Sequence, residues 1–161
     1  MARVLIVGCG CRGQALAASL PGHVIRGTTR SPERLAALQD VGIDGVLADP
    51  DRLATLVPAL SDVTIVCWLM GTATAAPTLH AERLRTLLEH LVDTPVRGFV
   101  YEAAGTVDPS LLERGAQIAR DASETWHIRA EVVSTDPAMH EEWLRAMEAA
   151  VARTLSDLCT S

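Results

Sequence analysis

The sequence contains no lysine, since all fourteen basic residues of the 161-residue chain are arginines. Lysine amines form Schiff bases with carbonyl substrates, and they act as nucleophiles or acid/base groups when burial lowers their pKa. Arginine does not replace lysine in these roles, because its guanidinium stays protonated. The composition therefore excludes any mechanism that needs an amine nucleophile, a Schiff base or a lysine acid/base group from this chain.

Aromatic residues and cysteines are also few. Three tryptophans, one tyrosine and one phenylalanine leave the core to aliphatic side chains and alanine. The four cysteines do not have the spacing of a disulfide framework, which is typical of a reducing compartment, and we expect a cytoplasmic protein. No cysteines and histidines have the spacing of a zinc site, so no metal is expected.

The charge balance and the apolar runs limit the partners. A net charge of −6 argues against nucleic acid and against an anionic membrane. No apolar run reaches the length of a membrane span, and the chain begins with a predicted strand rather than a signal segment. With 48% hydrophobic residues the chain is long enough for a real core, and we predict a single domain over residues 1–161.

The most informative segment is a glycine-rich turn between a predicted strand and a predicted helix. The apolar run 3–7 leads into Gly8-Cys9-Gly10-Cys11-Arg12-Gly13, which has the spacing G-x-G-x-x-G. In such a turn the first glycine permits the bend, the second lets a pyrophosphate approach the backbone, and the third lets the helix pack on the strand. Gly8, Gly10, Cys11, Arg12 and Gly13 are therefore predicted to bind a dinucleotide. The alternative is a glycine-rich turn that holds no ligand.

Two cysteines, Cys9 and Cys11, lie in this turn. Because helix N-termini lower the pKa of thiols, either cysteine is a candidate for a reactive or redox-sensitive group. The favoured alternative is that cysteine is a small residue that the turn tolerates.

Short apolar runs alternate with helical patterns along the chain. The predicted strands are 3–7, 23–28, 45–50, 63–68, 98–102 and 129–134, and the predicted helices are 12–20, 32–41, 52–60, 78–91, 109–125 and 136–158. Helices between successive strands indicate a parallel sheet that is covered on both faces. We therefore predict an α/β fold, a three-layer, doubly wound Rossmann sheet of about six strands in the order 3-2-1-4-5-6.

The end of the second predicted strand indicates which dinucleotide is preferred. NAD sites usually have an acid here for the ribose hydroxyls, whereas the 2′-phosphate of NADP needs donors and positive charge. This chain has no acid at the strand end and carries Thr29, Arg30, Ser31 and Arg34 instead. We predict that NADP(H) is preferred over NAD(H). The alternative is that both arginines are solvated surface charges.

Further crevice residues follow from the predicted topology. Asp49 ends the third strand and is a candidate contact for adenine, although Asp49-Pro50 is also an ordinary turn. Leu69, Met70 and Gly71 follow the fourth strand and are expected to face the ribose and the nicotinamide at the switch point of the sheet.

Together these segments resemble the NAD(P)-binding domain of short-chain dehydrogenase/reductase proteins, in the extended or atypical branch related to nucleoside-diphosphate-sugar epimerases. The glycine turn, Gly27-Thr28-Thr29-Arg30-Ser31 and Gly45-Val46-Leu47-Ala48-Asp49 carry the resemblance, which covers residues 1–105. It implies NADP(H) chemistry on the carbonyl or alcohol of a small molecule.

The sequence departs from this family at the catalytic residues. The family uses Tyr-x-x-x-Lys on the helix after the fourth strand and a serine at the end of the fifth. Here there is no lysine, and the only tyrosine, Tyr101, lies in the fifth predicted strand and is followed by Glu102. The substrate-binding extension of the extended branch is also expected to be absent. The resemblance therefore implies the cofactor site and not the catalysis.

Three functions remain open at this point. The first is a small NADP(H)-dependent oxidoreductase, with Tyr101 as a candidate proton donor and Glu102 as its relay. For this pair the alternative is a strand end with a polar cap. The second function is a non-catalytic NADP(H) sensor or regulatory module that acts through a protein partner, and a scaffold for another phosphate ligand, or for none, is a third.

The last predicted helix raises the question of self-association. Trp143, Leu144, Met147, Val151 and Leu155 recur at helical spacing and form an apolar stripe. Such a stripe packs either on the core of its own domain or on a second copy of the chain, so a homodimer is possible.

Overall fold

One parallel sheet organises the computed structural model, which describes residues 2–156. Its strands are β1 Arg3–Val7, β2 Val24–Thr29, β3 Asp44–Leu47, β4 Ile65–Trp68, β5 Gly98–Glu102 and β6 Arg129–Val133. They lie in the order β3-β2-β1-β4-β5-β6, and each neighbouring pair is parallel. The predicted Rossmann topology is confirmed. The chain direction across the sheet reverses between β1 and β4, which makes this point the topological switch point.

Helices cover both faces of the sheet. They are α1 Cys11–Ala18, α2 Pro32–Asp40, α3 Leu53–Leu56, α4 Glu82–Leu91, α5 Pro109–Trp126 and α6 His140–Ser156, with 3-10 turns at Val57–Leu60 and Pro77–His80. The buried side chains of α1, α2 and α6 belong to one core cluster, and those of α3, α4 and α5 belong to the other. No helix within residues 2–156 has both the length and the apolar character that crossing a bilayer requires.

The central strands are apolar on both sides because both faces of the sheet are covered. In β4, Val66 and Trp68 point into one core cluster, while Ile65 and Cys67 point into the other. All four side chains are fully buried. Each large apolar side chain buried in this way stabilises the fold by about 1.5–3 kcal/mol. This double burial explains why the run 63–68 is continuously apolar.

The main differences between the observed and the predicted elements lie at four places. The helix predicted over 52–60 is α-helical only over Leu53–Leu56 and continues as the 3-10 turn Val57–Leu60. Pro50 has no N–H to continue a ladder, and β3 ends at Leu47. The helix predicted over 78–91 is divided by Ala81, whose backbone is not helical (φ −141°, ψ −105°). The last helix begins at His140 rather than 136, because the Asp136 carboxylate accepts a bond from the Ala138 N–H in a preceding turn. Its predicted end at Leu158 lies outside the described residues, as does Cys159.

The apolar stripe of α6 is used within the chain. Trp143, Met147 and Val151 are at most 1% exposed and pack on the face of the sheet that α1 also covers. Of the two alternatives for these three residues, core or dimer face, the structure supports the core.

Candidate functional site

A cavity of about 570 Å³ opens where β1, β2 and β4 end at the switch point. Its volume is typical of small-molecule and cofactor sites, which span about 300–1,000 Å³. Nine of the residues predicted to bind the dinucleotide line it: Gly8, Gly10, Arg12, Thr29, Arg30, Arg34, Asp49, Leu69 and Met70. The structure therefore brings residues from distant parts of the chain to one crevice.

The three glycines of the turn have different surroundings. Gly8 has a φ of +82°, and a Cβ there would lie 2.2 Å from the Met70 Cε. A Cβ on Gly13 would lie 3.1 Å from the Cys9 Sγ and from the Ile6 Cγ2, so this glycine allows α1 to pack closely on the sheet. A Cβ on Gly10 would meet only the Arg34 Nη1, at 3.9 Å. The space in front of Gly10 is open and forms part of the cavity.

The backbone of the turn presents amide groups to this space. The first intrahelical bond of α1 runs from the Gln14 N–H to the Gly10 carbonyl, at 2.9 Å. The amides of Cys11, Arg12 and Gly13 precede it and have no carbonyl of their own helix to bind. Gly10, at the N-cap, has no side chain that would satisfy them. Unpaired amides at the positive end of a helix dipole favour an anion.

Two arginines face the turn from the end of β2 and from α2. Within residues 2–156 no hydrogen bond or ion pair is formed by the side chains of Arg30 and Arg34, in contrast to Arg26, which binds the Asp44 carboxylate at 2.9 Å. The Nη1 of Arg34 lies next to Gly10. Two cations with no partner among the described residues 2–156 thus face the same cavity as the unpaired amides.

Four of the predicted binding residues do not line the cavity. The hydroxyl of Ser31 donates to the Glu33 carboxylate instead of facing the crevice. Cys11 is exposed on α1, and Gly13 is buried under the turn. Gly71 is buried as well, and its N–H donates to the Glu102 Oε1 at 2.9 Å. Gly71 therefore shapes the wall of the cavity rather than facing its interior.

The thiol of Cys9 is a packing group. Cys9 is 3% exposed and lies against Gly13 and Gly27. Burial raises the pKa of this thiol to about 12, so it stays protonated and unreactive at neutral pH. The burial and close packing of Cys9 agree with the alternative that cysteine is a small residue which the turn tolerates.

One wall of the cavity, the loop after β4, was not predicted from the sequence. Thr72, Ala73, Thr74, Ala75 and Ala76 all line it, together with Thr28, Pro50 and Asp51. Hydrophobic periodicity carries no information about this loop. The only local signal is its run of small residues directly after a buried strand, at the edge of the sheet where ligands bind.

The predicted acid/base pair is not assembled. Successive residues of a strand point to opposite faces, so Tyr101 and Glu102 cannot relay a proton to each other. The Tyr101 hydroxyl donates to the Nδ1 of His80 on one face, and Glu102 binds Arg12 and Trp143 on the other. Both residues are 0% exposed and neither lines the cavity.

His80 is a fully buried residue at the end of the 3-10 turn Pro77–His80. The Met70 carbonyl can only accept, so the His80 Nε2 carries the proton and donates to it at 2.9 Å. The Nδ1 then accepts the bond from the Tyr101 hydroxyl. Burial lowers the pKa of His80, which keeps the ring neutral. The ring thereby fixes Met70, a wall residue of the cavity.

Acidification is expected to destabilise the protein through His80. The pKa of His80 is lowered from 6.5 in the folded state, so the unfolded chain binds the proton first. The stabilisation is complete above about pH 6.5 and is lost as the pH falls through the folded pKa. In urea unfolding over a pH series, the free energy of unfolding should fall less steeply with decreasing pH for His80→Gln than for the wild type. His90→Gln, at a partly exposed site on α4, is the control, and equal slopes for all three proteins would contradict the prediction.

Neither a protein-family model nor a curated protein sequence matches the chain. Solved structures match over most of its length. UDP-glucuronic acid 4-epimerase from Bacillus cereus, in complex with UDP-glucuronic acid and NAD, has a TM-score of 0.63 and 14% identity over 82% of this chain and 55% of its own. Vestitone reductase from alfalfa has a TM-score of 0.65 and 14% identity, over 83% and 56%. The triphenylmethane reductase of a Citrobacter species, complexed with NADP(H), has a TM-score of 0.66 and 18% identity, over 83% and 49%.

This chain has the Rossmann fold of these epimerases and reductases. The resemblance to extended short-chain dehydrogenase/reductase proteins, seen first in the sequence, is thus confirmed at the level of the fold. The chain spans about half the length of the structures that it matches.

Proposed function

We propose that this chain binds NADP(H) in the cavity at the switch point and serves as the cofactor domain of an atypical oxidoreductase. One observation carries the proposal. The open space in front of Gly10, with its unpaired amides, faces Arg34, which has no side-chain partner among residues 2–156. The amides suit the diphosphate of a dinucleotide, and the Arg34 guanidinium beside them suits a further phosphate of the same ligand.

The rest of the cavity fits the two halves of a dinucleotide. Doubly wound sheets hold one nucleotide on each side of the switch point. On the β2–β3 side the wall contains Ala48 and Asp49, which suit an adenosine. On the β4 side it contains Leu69, Met70 and Thr72, which suit the nicotinamide nucleoside. When bound, the nicotinamide would supply hydride transfer, and a small carbonyl or alcohol compound is the substrate that this chemistry implies.

The preference for NADP(H) rests on the residues that follow β2. Thr29 ends the strand, and Arg30 and Arg34 both line the cavity beyond it. No carboxylate stands at the strand end to bind ribose hydroxyls and repel a phosphate. The similar structures include complexes with NAD and with NADP(H), so the preference follows from this chain's own arginines.

The double variant Arg30→Ala/Arg34→Ala is expected to lose NADPH affinity by about a hundredfold or more. Each charge-assisted hydrogen bond contributes about 1.5–3 kcal/mol, and only the 2′-phosphate would lose its donors. Affinity for NADH, which has no 2′-phosphate, should change by less than about threefold. Calorimetric titration of both proteins with both cofactors measures the effect.

The matched control is Arg85→Ala, which removes an exposed arginine from α4, away from the cavity. It should leave both affinities unchanged. Equal affinity of the wild type for NADPH and NADH would refute the NADP(H) preference. If the wild type binds neither cofactor, the glycine turn is a structural bend and the proposed function is wrong.

A further inference from the structure

The Arg12 side chain crosses from the glycine turn to the other half of the sheet. Its Nη2 donates to the Glu102 Oε1 at 2.8 Å and its Nε to the Oε2 at 3.4 Å. Its Nη1 lies 3.4 Å from the Thr72 hydroxyl. Glu102 ends β5 and Thr72 follows β4, so the guanidinium lies on the β4–β5 side of the switch point. This is the side that the nicotinamide half of the cofactor would occupy.

Glu102 holds Arg12 in this direction. The carboxylate is 0% exposed and also accepts bonds from the Gly71 N–H and from the Trp143 Nε1, each at 2.9 Å. The guanidinium carbon lies 5.8 Å from the centre of the Trp143 ring, a cation–π distance. A carboxylate fixed by two further donors positions the arginine firmly, because neither partner rotates freely.

The geometry leaves one edge of the guanidinium for a ligand. Nε and Nη2 face the buried carboxylate, whereas Nη1 faces Thr72, an exposed residue of the cavity wall. Arg12 itself is 26% exposed at its side chain and lines the cavity. The cation is thus nearer to the cavity than the carboxylate that balances it.

We propose that Arg12 is a specificity-determining residue for the nicotinamide half of the cofactor. Its Nη1 and the Thr72 hydroxyl bind the nicotinamide nucleoside, and its charge favours the neutral ring of NADPH over the cationic ring of NADP⁺. The inference rests on the proposed function. A contact of Arg12 with the nicotinamide nucleoside differs from a contact with the diphosphate, because every ligand of this site would share the diphosphate contact.

Calorimetric titrations with three ligands distinguish an Arg12 contact with the nicotinamide nucleoside from a contact with the diphosphate. NADPH and NADP⁺ carry the nicotinamide, whereas 2′-phospho-ADP-ribose has the same adenosine, 2′-phosphate and diphosphate without it. The test variant is Arg12→Met/Glu102→Gln, which removes both charges and leaves no buried carboxylate without a counterion. We expect its NADPH affinity to fall about tenfold, its affinity for 2′-phospho-ADP-ribose to stay within twofold, and its preference for NADPH over NADP⁺ to shrink.

Gln14→Ala, on the same helix outside the cavity, should leave all three affinities unchanged. Equal losses for all three ligands would assign Arg12 to the diphosphate and overturn the inference, as would unchanged binding of all three. Wild-type protein that binds none of the ligands would instead refute the proposed function. If melting shows the double variant to be unfolded, Thr72→Ala replaces it. A loss of about threefold in affinity for NADPH alone then supports the inference, and equal changes in affinity for all three ligands overturn it.

Discussion

Replacing Gly10 by valine is expected to lower the affinity for NADPH about a hundredfold or more while the protein stays folded. A Cβ at Gly10 meets no atom within 4 Å except the Arg34 Nη1 at 3.9 Å, and the φ of Gly10 is −88°, outside the left-handed region. The side chain therefore fits the protein but occupies the space in front of the amides. Losing two charge-assisted hydrogen bonds of about 1.5–3 kcal/mol each produces this effect. Calorimetric titration with NADPH measures the affinity, and thermal unfolding measures the stability of the fold.

Gly22→Val is the matched control for this variant. A Cβ on Gly22 meets nothing within 4 Å, and this glycine lies in the turn after α1, away from the cavity. Both variants should melt close to the wild type, and only Gly10→Val should lose the cofactor. Retained binding by folded Gly10→Val would show that the diphosphate does not lie at the glycine turn.

Removing the buried carboxylate in Glu102→Ala is expected to lower the free energy of unfolding by about 3–5 kcal/mol, as is typical when one partner of a buried ion pair is lost. Burial raises the pKa of Glu102, while Arg12 and two N–H donors act against this rise. The substitution leaves the Arg12 guanidinium, the Gly71 N–H and the Trp143 N–H without their acceptor. Urea unfolding at neutral pH gives the value.

Glu131→Ala provides the comparison. Glu131 also lies on a strand and also pairs with two arginines, Arg129 and Arg153, but those side chains are about half exposed. Exposed ion pairs contribute about 0–1 kcal/mol, so this variant should be nearly as stable as the wild type. The loss in free energy of unfolding for Glu102→Gln should lie between those of the two alanine variants, because its amide oxygen still accepts a hydrogen bond from one of the buried N–H groups. Equal losses in free energy of unfolding for Glu102→Ala and Glu131→Ala would show that the buried ion pair stabilises the fold no more than the exposed one.

The sheet could be predicted from the sequence because its signals are local. The continuous apolar run before Trp68 is what a strand covered on both faces requires, and the spacing from Gly8 to Gly13 marks the turn that follows β1. The strand order then follows from the alternation with helices. These features depend on residues that are only a few positions apart, so they are visible in the sequence pattern.

The side-chain pairs of the site could not be predicted, because their partners are far apart in the chain. His80 bonds to Tyr101, 21 residues away, and Arg12 pairs with Glu102, 90 residues away. No periodicity connects such positions. The separation of Tyr101 from Glu102 could have been predicted, since adjacent strand residues always point to opposite faces. The bond between Ser31 and Glu33 is local, but a serine before a helix looks the same whether it caps the helix or binds a carboxylate.

The contacts of Glu102 also set an order of events for the newly made chain. Arg12 emerges first, Gly71 and Glu102 follow, and Trp143 arrives only with the last helix. Contacts between segments so far apart in sequence close large loops, which are entropically costly and slow to form. The set of contacts that holds Glu102, and through it Arg12, is complete only once residues 140–156 have packed on the sheet.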